Sequence, residues 1–546
     1  MSRYFARLPR AVRFDPGLRL LRGTTVTTAA VLAAYGSALL IEHLARLRVD
    51  VVVQAVVLAA TAAQVQRAAD RYDRLLGLAV LPAAAAGAAE IGRLMTLHPN
   101  AADALFTLGT ALPILLRRFG PRATRAGSLL VLPLVALLVV PPDAGPVPDH
   151  ARTLWIALIA VVSGAWVTLL QSAAVRTGLV PAPVRAPAPE PAPAPEARRR
   201  PGVHTRTALQ MAGAVGGALI AGRTVWPDHW TWVVLTAFIV CSGARGRADV
   251  LFKGLLRALG AAVGTVVATA VAGSFGPHAD AAVVLIFAVL ALATWLRELS
   301  YAYWAACVTA VLSLLYGWFG QSSDDLLRTR LAAIGLGAAI GIAASWLILP
   351  LRTRDVLRRR TADALAALTE FLGATGTDRP ALLRGRARFV HGAGQLELLA
   401  RPLRAERRAL GLAGRLPGRI PAGGRPYRAD VVDAVTACEA PLGVLVDGAT
   451  ADPALWSDPR VARLNRAVAA NSAAVRRAIG RRPGPAYQGV RARIPKQSGA
   501  APAGSPEQLR MLAALLAVDD ALGTVAAVFG DPPQPGAEEA EGAGTS

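Results

Sequence analysis

The sequence predicts an all-α membrane protein with two repeated six-helix bundles and a helical domain after them. The chain has 546 residues, of which 54% are hydrophobic, and a mean hydropathy of +0.42, which is high for a soluble domain. Its apolar segments form two runs of six, separated by a Pro/Ala-rich tract at residues 181–201. The third segment of each run begins with Arg-x-Leu-Gly, at residues 74–77 and 257–260. Such an internal repeat is typical of transporters and channels, whose pathways form between paired bundles.

Each run contains six segments that we interpret as membrane spans. Residues 331–349 contain no charged residue, and at 1.5 Å of rise per residue they cross a ~30 Å hydrocarbon core together with their flanks. The second and eighth spans are short, and short segments at matching positions in two halves indicate a transporter's binding site. The predicted spans are residues 24–41, 51–65, 75–91, 102–116, 127–141 and 153–172, then 207–222, 231–244, 258–276, 281–296, 301–319 and 331–349.

The formal net charge of +23 is carried mainly by arginine, because Lys253 and Lys496 are the only lysines. Arginines concentrate in alternate turns, whereas the turns at residues 141–150 and 273–280 contain no Lys or Arg. This bias predicts that both termini face the cytoplasm. It also accounts for the charge without nucleic-acid binding.

The composition changes along the chain predict six regions. The linker alternates proline and alanine, the region after residue 351 shows apolar residues at helical spacing, and the end of the chain is acidic. The regions are a basic cytoplasmic N-terminus (1–23), a first bundle that is a degenerate repeat (24–175), a Pro/Ala-rich cytoplasmic linker (176–205), a second bundle (206–351), a cytoplasmic helical domain (352–530) and a disordered acidic tail (531–546).

The second half carries an ordered series of aromatic, arginine and glycine cues. They are Trp230-Thr231-Trp232 leading into Leu235-Thr236, Arg257-Ala258-Leu259-Gly260 with Gly264, Tyr301-Ala302-Tyr303-Trp304, and the start of the last span from Arg330 to Gly335. In this order, residues 206–351 resemble the fusaric acid resistance protein-like family of membrane transporters, also called the aromatic acid exporter family. The first half lacks the tryptophan pair and the tyrosine start, so whether both halves line the transport path stays open.

The resemblance implies a multi-pass protein of the bacterial plasma membrane. It implies efflux of small aromatic carboxylates or related toxic organic compounds, driven by the proton gradient. A passive organic-anion channel and a non-transporting membrane scaffold are the alternatives. The expected partners are the lipid bilayer and a small organic anion, with no nucleic acid, and a homo-oligomer is left open.

Six residues are candidates for the transport path. Tryptophan and tyrosine at predicted interfaces either line a vestibule for planar substrates or anchor the bundle in the membrane. The two arginines lie at predicted span ends on opposite sides of the membrane, where they either attract an organic anion or extend to lipid headgroups. The candidates are Trp230, Trp232, Thr236, Arg257, Tyr303 and Arg330.

Two further sets of residues are assigned to proton coupling and to helix packing. An ionisable group at membrane depth is costly and is therefore a functional candidate, although Glu90 is also placed to pair with Arg93 one turn away. Small residues let neighbouring helices approach closely. The coupling candidates are Asp228, His229, Glu90 and Glu298, and the packing candidates are Gly260, Gly264, Gly335 and Gly341.

Enzyme signatures are scarce in the sequence. It contains no glycine-rich loop ending in Gly-Lys-Ser or Gly-Lys-Thr and no His-Glu-x-x-His helix. Cys241, Cys307 and Cys438 stand alone, without a partner at metal-ligand or redox spacing. We therefore expect neither an enzyme nor a bound cofactor or metal.

Overall fold

The computed structural model describes residues 15, 18–67, 69–139, 150–181, 202–272, 275–276, 278–297, 299–320, 324–413, 427–493 and 505–529. Glu298, the acidic tail and nearly all of the tract at residues 181–201 lie outside these residues. The described residues form helices and connecting turns, with no strand among them. They divide into two compact units, of which the first ends at Leu351 and the second begins at Arg352.

The first unit contains twelve α-helices among its described residues, six in each half. Those of the first half are α1 (Arg19–Ala45), α2 (Asp50–Gln66), α3 (Arg71–Leu97), α4 (Pro99–Leu116), α5 (Pro121–Val139) and α6 (His150–Arg176). Those of the second half are α7 (Val203–Val225), α8 (Trp230–Cys241), α9 (Arg247–Ala272), α10 (Asp280–Leu296), α11 (Tyr301–Trp318) and α12 (Asp324–Leu347).

The lengths and compositions of these helices are those of a multi-pass membrane protein. Across the described residues, eight helices are long and apolar enough to cross a membrane, and all but Pro506–Phe529 belong to the first unit. Helices α2, α8 and α10 are also apolar, but they have only 17, 12 and 17 residues. The prediction of an all-α, polytopic membrane protein is confirmed.

Most helix contacts of the first half recur in the second half. In the first half, α1 contacts α2 and α6, α2 contacts α6, α3 contacts α5 and α6, and α4 contacts α5. Every one of these pairs recurs in the second half between the helices six positions later in the order, from α7–α8 to α10–α11. The matching Arg-x-Leu-Gly segments of the sequence therefore belong to a structural repeat.

In two of the contacts between the halves, the fourth helix of one half packs against the first helix of the other; α5 also contacts α8. At the α4–α7 contact, Arg223 donates hydrogen bonds of 2.7 and 2.8 Å to the two carboxylate oxygens of Asp103. At the α1–α10 contact, the rings of Tyr35 and Phe287 meet edge to face with their centroids 4.9 Å apart. The two halves thus form one continuous unit.

Glycines set the closest helix approach in the second half. A Cβ on Gly260 would lie 2.8 Å from Cβ of Ala305, and one on Gly264 would meet the backbone carbonyl of Ala306. Helices α9 and α11 can therefore approach this closely only because these positions lack a side chain. A Cβ on Gly341 would lie 3.3 Å from Sγ of Cys241 on α8, whereas Gly335 has open space around it and does not serve such a contact.

The second unit is a helical domain with its own apolar core. Phe371 and Phe389 are fully buried in it, and Phe371 meets Trp456 edge to face. The buried carboxylate of Asp519 accepts hydrogen bonds from Asn471 and from the backbone N–H of Val490. The helices are α13 (Thr353–Gly373), α14 (Arg379–Glu397), α15 (Ala400–Ala413), α16 (Arg428–Ala437), α17 (Glu439–Ala451), α18 (Pro453–Ser457), α19 (Pro459–Ile479) and α20 (Pro506–Phe529).

We predict that Gly264→Leu separates α9 from α11 and lowers the free energy of unfolding by ~1–3 kcal/mol, the usual cost of overpacking. Gly335→Leu is the matched control, because nothing lies within 4 Å of its added Cβ. Thermal unfolding of the two purified variants in detergent measures the difference. Equal unfolding temperatures would contradict the close approach of these helices.

Candidate functional site

A cavity of about 900 Å³ lies between the two halves of the first unit. Its volume falls in the range of small-molecule sites, ~300–1,000 Å³. Its walls come from both halves, mainly from α2 and α5 on one side and from α8, α10 and α11 on the other. Most of the lining is aliphatic or aromatic, including Val52, Val56, Val131, Val135, Phe238, Ile239, Phe287 and Leu290.

Three cationic side chains line one end of this cavity. Arg117 directly follows α4, Arg297 directly follows α10, and Lys253 lies in the second turn of α9. The Lys253 ammonium is 3.2 Å from a carboxylate oxygen of Asp249, and the Arg297 guanidinium lies 5.6 Å from the ring centroid of Trp304. Among the described lining residues there is no Asp or Glu. The cavity therefore combines apolar walls with a positively charged end.

Helix α8 is too short to cross the membrane and forms part of the cavity wall. Its 12 residues span about 18 Å, against a ~30 Å hydrocarbon core. The face with Leu235, Phe238 and Ile239 lines the cavity, and so do Ser242 and Gly243 just after the helix. Non-helical backbone at membrane depth is tolerated where it lines a cavity or is buried in protein. Helix α8, at the position of the predicted eighth span, thus forms part of the cavity wall.

The predicted path residue Trp232 lies in a buried cluster beside the cavity. Its indole is 4% exposed and donates a 3.1 Å hydrogen bond to the hydroxyl of Tyr316. The guanidinium of Arg330 lies 5.4 Å from the centroid of the Trp232 ring and 5.6 Å from that of Tyr316, and it donates to Ser313 Oγ at 2.9 Å. The cluster joins α8, α11 and α12 and does not line the cavity. Trp232 therefore acts inside the bundle and not at a lipid interface.

The other aromatic and polar candidates on α8 and α11 also lie away from the cavity. Trp230 stacks under the guanidinium of Arg223, 4.4 Å from its ring centroid. Thr236 is buried against α12, where its Cβ would be 2.9 Å from a Cβ on Gly337. Tyr303 is 53% exposed on the outer surface of the bundle. None of the three is among the residues that line the cavity.

Arg257 and Arg330, predicted at the ends of spans, lie within longer helices. Arg257 is the eleventh residue of the 26-residue α9, and Arg330 is the seventh of the 24-residue α12. Their exposed fractions are 2% and 4%. Both guanidinium groups therefore lie inside the second half, on helices that contact each other, and neither extends to lipid headgroups.

One segment of the second half also matches a known protein family. This segment contains α8, Arg257, Arg330 and one wall of the cavity. Residues 207–344 match the sequence profile of the fusaric acid resistance protein-like family. The match runs from the first turns of α7 to near the end of α12. The resemblance expected from the ordered cues is confirmed for this fusaric acid resistance protein-like half. A search of curated proteins finds no match to the chain.

The proton-coupling candidates occupy two separate places. Glu90, in the first half, accepts hydrogen bonds from Arg93 at 2.8 Å and from Thr153 at 2.6 Å, so its carboxylate is ion-paired. In the fusaric acid resistance protein-like half, Asp228 is exposed in the turn before α8, and the His229 ring lies 4.5 Å from that of Trp232. Burial lowers the pKa of His229, and the neighbouring Asp228 acts against this lowering. Glu298 lies outside the described residues.

The cations of the cavity are the main functional candidates that the sequence pattern does not identify. The charge bias attributes Arg117 and Lys253 to membrane orientation, because they lie in arginine-rich turns. One signal points further: Lys253 is the only lysine in the first 351 residues. A compact ammonium at one position of an arginine-rich chain is a candidate for a specific contact.

We predict that Ile239→Phe leaves the thermal stability nearly unchanged, because the added ring extends into the cavity. Val234→Phe on the same helix is the matched comparison, since Val234 is fully buried and overpacking there costs ~1–3 kcal/mol. Unfolding temperatures of the two purified variants measure this difference. Destabilisation of Ile239→Phe to the level of Val234→Phe would show that the space beside α8 is closed.

Proposed function

We propose that this protein exports small organic anions with an aromatic or apolar body across the bacterial plasma membrane. The observation that carries the proposal is the apolar cavity between the two halves, whose charged lining residues are Arg117, Lys253 and Arg297 at one end. The family match over residues 207–344 supports a role in transport.

The cavity has the chemistry that an amphipathic anion requires. Burial of an aromatic ring against Val, Ile, Leu and Phe is favourable in proportion to the apolar area removed from water. A carboxylate loses its hydration when it leaves water and needs charged donors in return, and arginine and lysine supply them. A neutral ring of the same shape gains only the first contribution. The cavity therefore favours aromatic carboxylates over neutral aromatics.

The direction of transport in this proposal follows from the position of the cations. Arg117, Lys253 and Arg297 lie at the end of the bundle where α4 and α10 end and α9 begins. The positive-inside pattern assigns this end to the cytoplasm. An anion would thus be attracted at the cytoplasmic side and released at the other, where the described lining is apolar.

We predict that Arg117→Gln in proteoliposomes raises the KM for benzoate efflux about tenfold, the usual loss for a hydrogen bond to a charged group. Arg118→Gln is the matched control, because Arg118 is the exposed neighbour of Arg117 in the same turn and does not line the cavity. Radiolabelled benzoate measures the rates. Equal KM values in both variants would remove the cationic end from the path, and liposomes that move no organic anion would favour a non-transporting scaffold.

Proton coupling is a separate part of the proposal, supported by the Asp228–His229 pair at the start of α8. We predict that Asp228→Asn abolishes the dependence of efflux on a pH gradient, because the amide keeps the shape but cannot ionise. Asp280→Asn, at the exposed start of α10, is the control and should keep this dependence. Efflux is measured with the membrane potential clamped and the pH gradient varied. Wild-type flux that continues after collapse of the gradient would indicate a passive channel instead.

A further inference from the structure

One end of the second unit carries a dense set of arginines. Residues 352–363, at the start of α13, contain five arginines and two aspartates, and residues 476–482, at the end of α19, contain four arginines and no acid. None of the exposed ones forms an ion pair with a described carboxylate, and Asp363 interacts with Arg359 and Arg360 only through their charges. The exposed ones are Arg352, Arg354, Arg359, Arg360, Arg476, Arg481 and Arg482.

The two groups of arginines lie at the same end of a pair of antiparallel helices. Asn465 of α19 donates a 2.8 Å hydrogen bond to the carbonyl of Leu372 on α13. Seven residues later on α19, Ser472 donates at 3.3 Å to the carbonyl of Leu365, seven residues earlier on α13. One further step of this kind brings the end of α19 level with Arg358. Residues 352–363 and 476–482 thus form one surface, here called the arginine surface.

The arginine surface begins where the chain leaves the membrane unit. Helix α12 is long and apolar enough to cross a membrane, and its last residue, Leu347, is 81% exposed. The segment after α12 is fixed to the first unit, because the N–H of Arg247 at the start of α9 donates a 3.3 Å hydrogen bond to the carbonyl of Leu351. Arg352 is the next residue in the chain. A polybasic segment directly after a membrane-spanning helix is the arrangement that attracts anionic headgroups.

We propose that the arginine surface binds the headgroups of anionic phospholipids. A guanidinium donates paired hydrogen bonds to a phosphate and stays charged at physiological pH. Cations exposed at this density repel one another, and anionic headgroups offset that repulsion. Each arginine near an anionic leaflet strengthens binding about fivefold. The second unit is thereby held at the bilayer surface, and this binding does not depend on transport.

The acidic end of the chain also has a charge that matches the arginine surface. Residues 531–546 contain four acids and no Lys or Arg. They begin two residues after Phe529, the last residue of α20, whose ring centroid lies 5.7 Å from the guanidinium of Arg358. Four carboxylates do not neutralise nine arginines, whereas a leaflet offers an excess of headgroups. We therefore assign the surface to lipid, and removal of residues 531–546 is one arm of the test.

The test measures amide hydrogen exchange of the purified full-length protein in nanodiscs of phosphatidylcholine, with and without phosphatidylglycerol. Phosphatidylglycerol should slow exchange in residues 352–360 and 476–482. High salt should abolish this difference, because salt screens exposed charges. Residues 453–466, which include the opposite end of α19, should exchange alike in both kinds of nanodisc.

Matched double variants on α19 assign the response to the arginine surface. Arg476→Gln with Arg482→Gln removes two exposed charges from the surface and should weaken the response about fivefold for each arginine. Arg463→Gln with Arg466→Gln removes two exposed charges from the opposite end of the same helix and should keep the wild-type response. The response is the concentration of soluble short-chain phosphatidylglycerol that gives half of the maximal rise in unfolding temperature, measured in an uncharged detergent.

Glycerol 3-phosphate separates a lipid surface from a site for a single phosphate, because it lacks acyl chains. Stabilisation by phosphatidylglycerol alone supports the proposal, and equal stabilisation by both compounds contradicts it. Equal exchange in the two kinds of nanodisc, or equal responses of the two double variants, would also overturn it. So would a lipid response that appears only after residues 531–546 are removed, since these residues would then be the occupant. Loss of transport with an intact lipid response counts against the proposed function only.

Discussion

The arrangement of the membrane unit depends on the free-energy cost of removing guanidinium groups from water. The desolvation of such a group amounts to several kcal/mol, and an ion pair offsets it only with good geometry. In the first half, Asp50 pairs with Arg152 and Asp73 pairs with Arg125, whereas the buried Arg74 donates a hydrogen bond to Ser172 Oγ. In the second half, Arg330 is held between two aromatic rings and a serine hydroxyl, which stabilise a cation without neutralising it. Arg152 and Arg330, at matching places in the two halves, thus lie in different surroundings.

The cavity between the halves is lined by residues of both of them. Both contribute apolar wall, and Arg117 of the first half joins Lys253 and Arg297 of the second at the charged end. Both halves therefore line the cavity. Buried arginines that do not line the cavity lie in both halves, at Arg74 and at Arg257.

The sequence is a good guide to the helices and a poor guide to the direction of individual side chains. Segment length and apolar content predict a helix, and α1 to α12 lie where the twelve segments are expected. The predicted spans begin after Arg257 and Arg330, because a charged residue interrupts an apolar run in the sequence. A charged residue does not, however, end a helix. Helices α9 and α12 begin ten and six residues before these arginines, at Arg247 and Asp324. Both arginines are consequently interior.

The sequence alone also does not predict which face of α8 lines the cavity. The rotation of this helix is set by packing of Thr236 against Gly337 and of Cys241 against Gly341. These contacts join residues about 100 positions apart, so no local pattern reports them. They direct Leu235, Phe238 and Ile239 to the cavity and Trp232 to Arg330. Trp232 of the aromatic motif therefore packs inside the bundle. Its neighbours Leu235, Phe238 and Ile239 form the cavity wall.

The paired contacts α4–α7 and α1–α10 have an evolutionary consequence. Exchanging the halves converts one contact into the other, which is the relation between the two contacts of a two-fold symmetric dimer. A single six-helix repeat thus possesses both surfaces needed to associate with its own copy and to enclose a cavity on the symmetry axis. Fusion of two copies removes the requirement that they stay identical. The two halves can then differ locally, as they do where Asp50 pairs with Arg152 and where Ser313 accepts a hydrogen bond from Arg330.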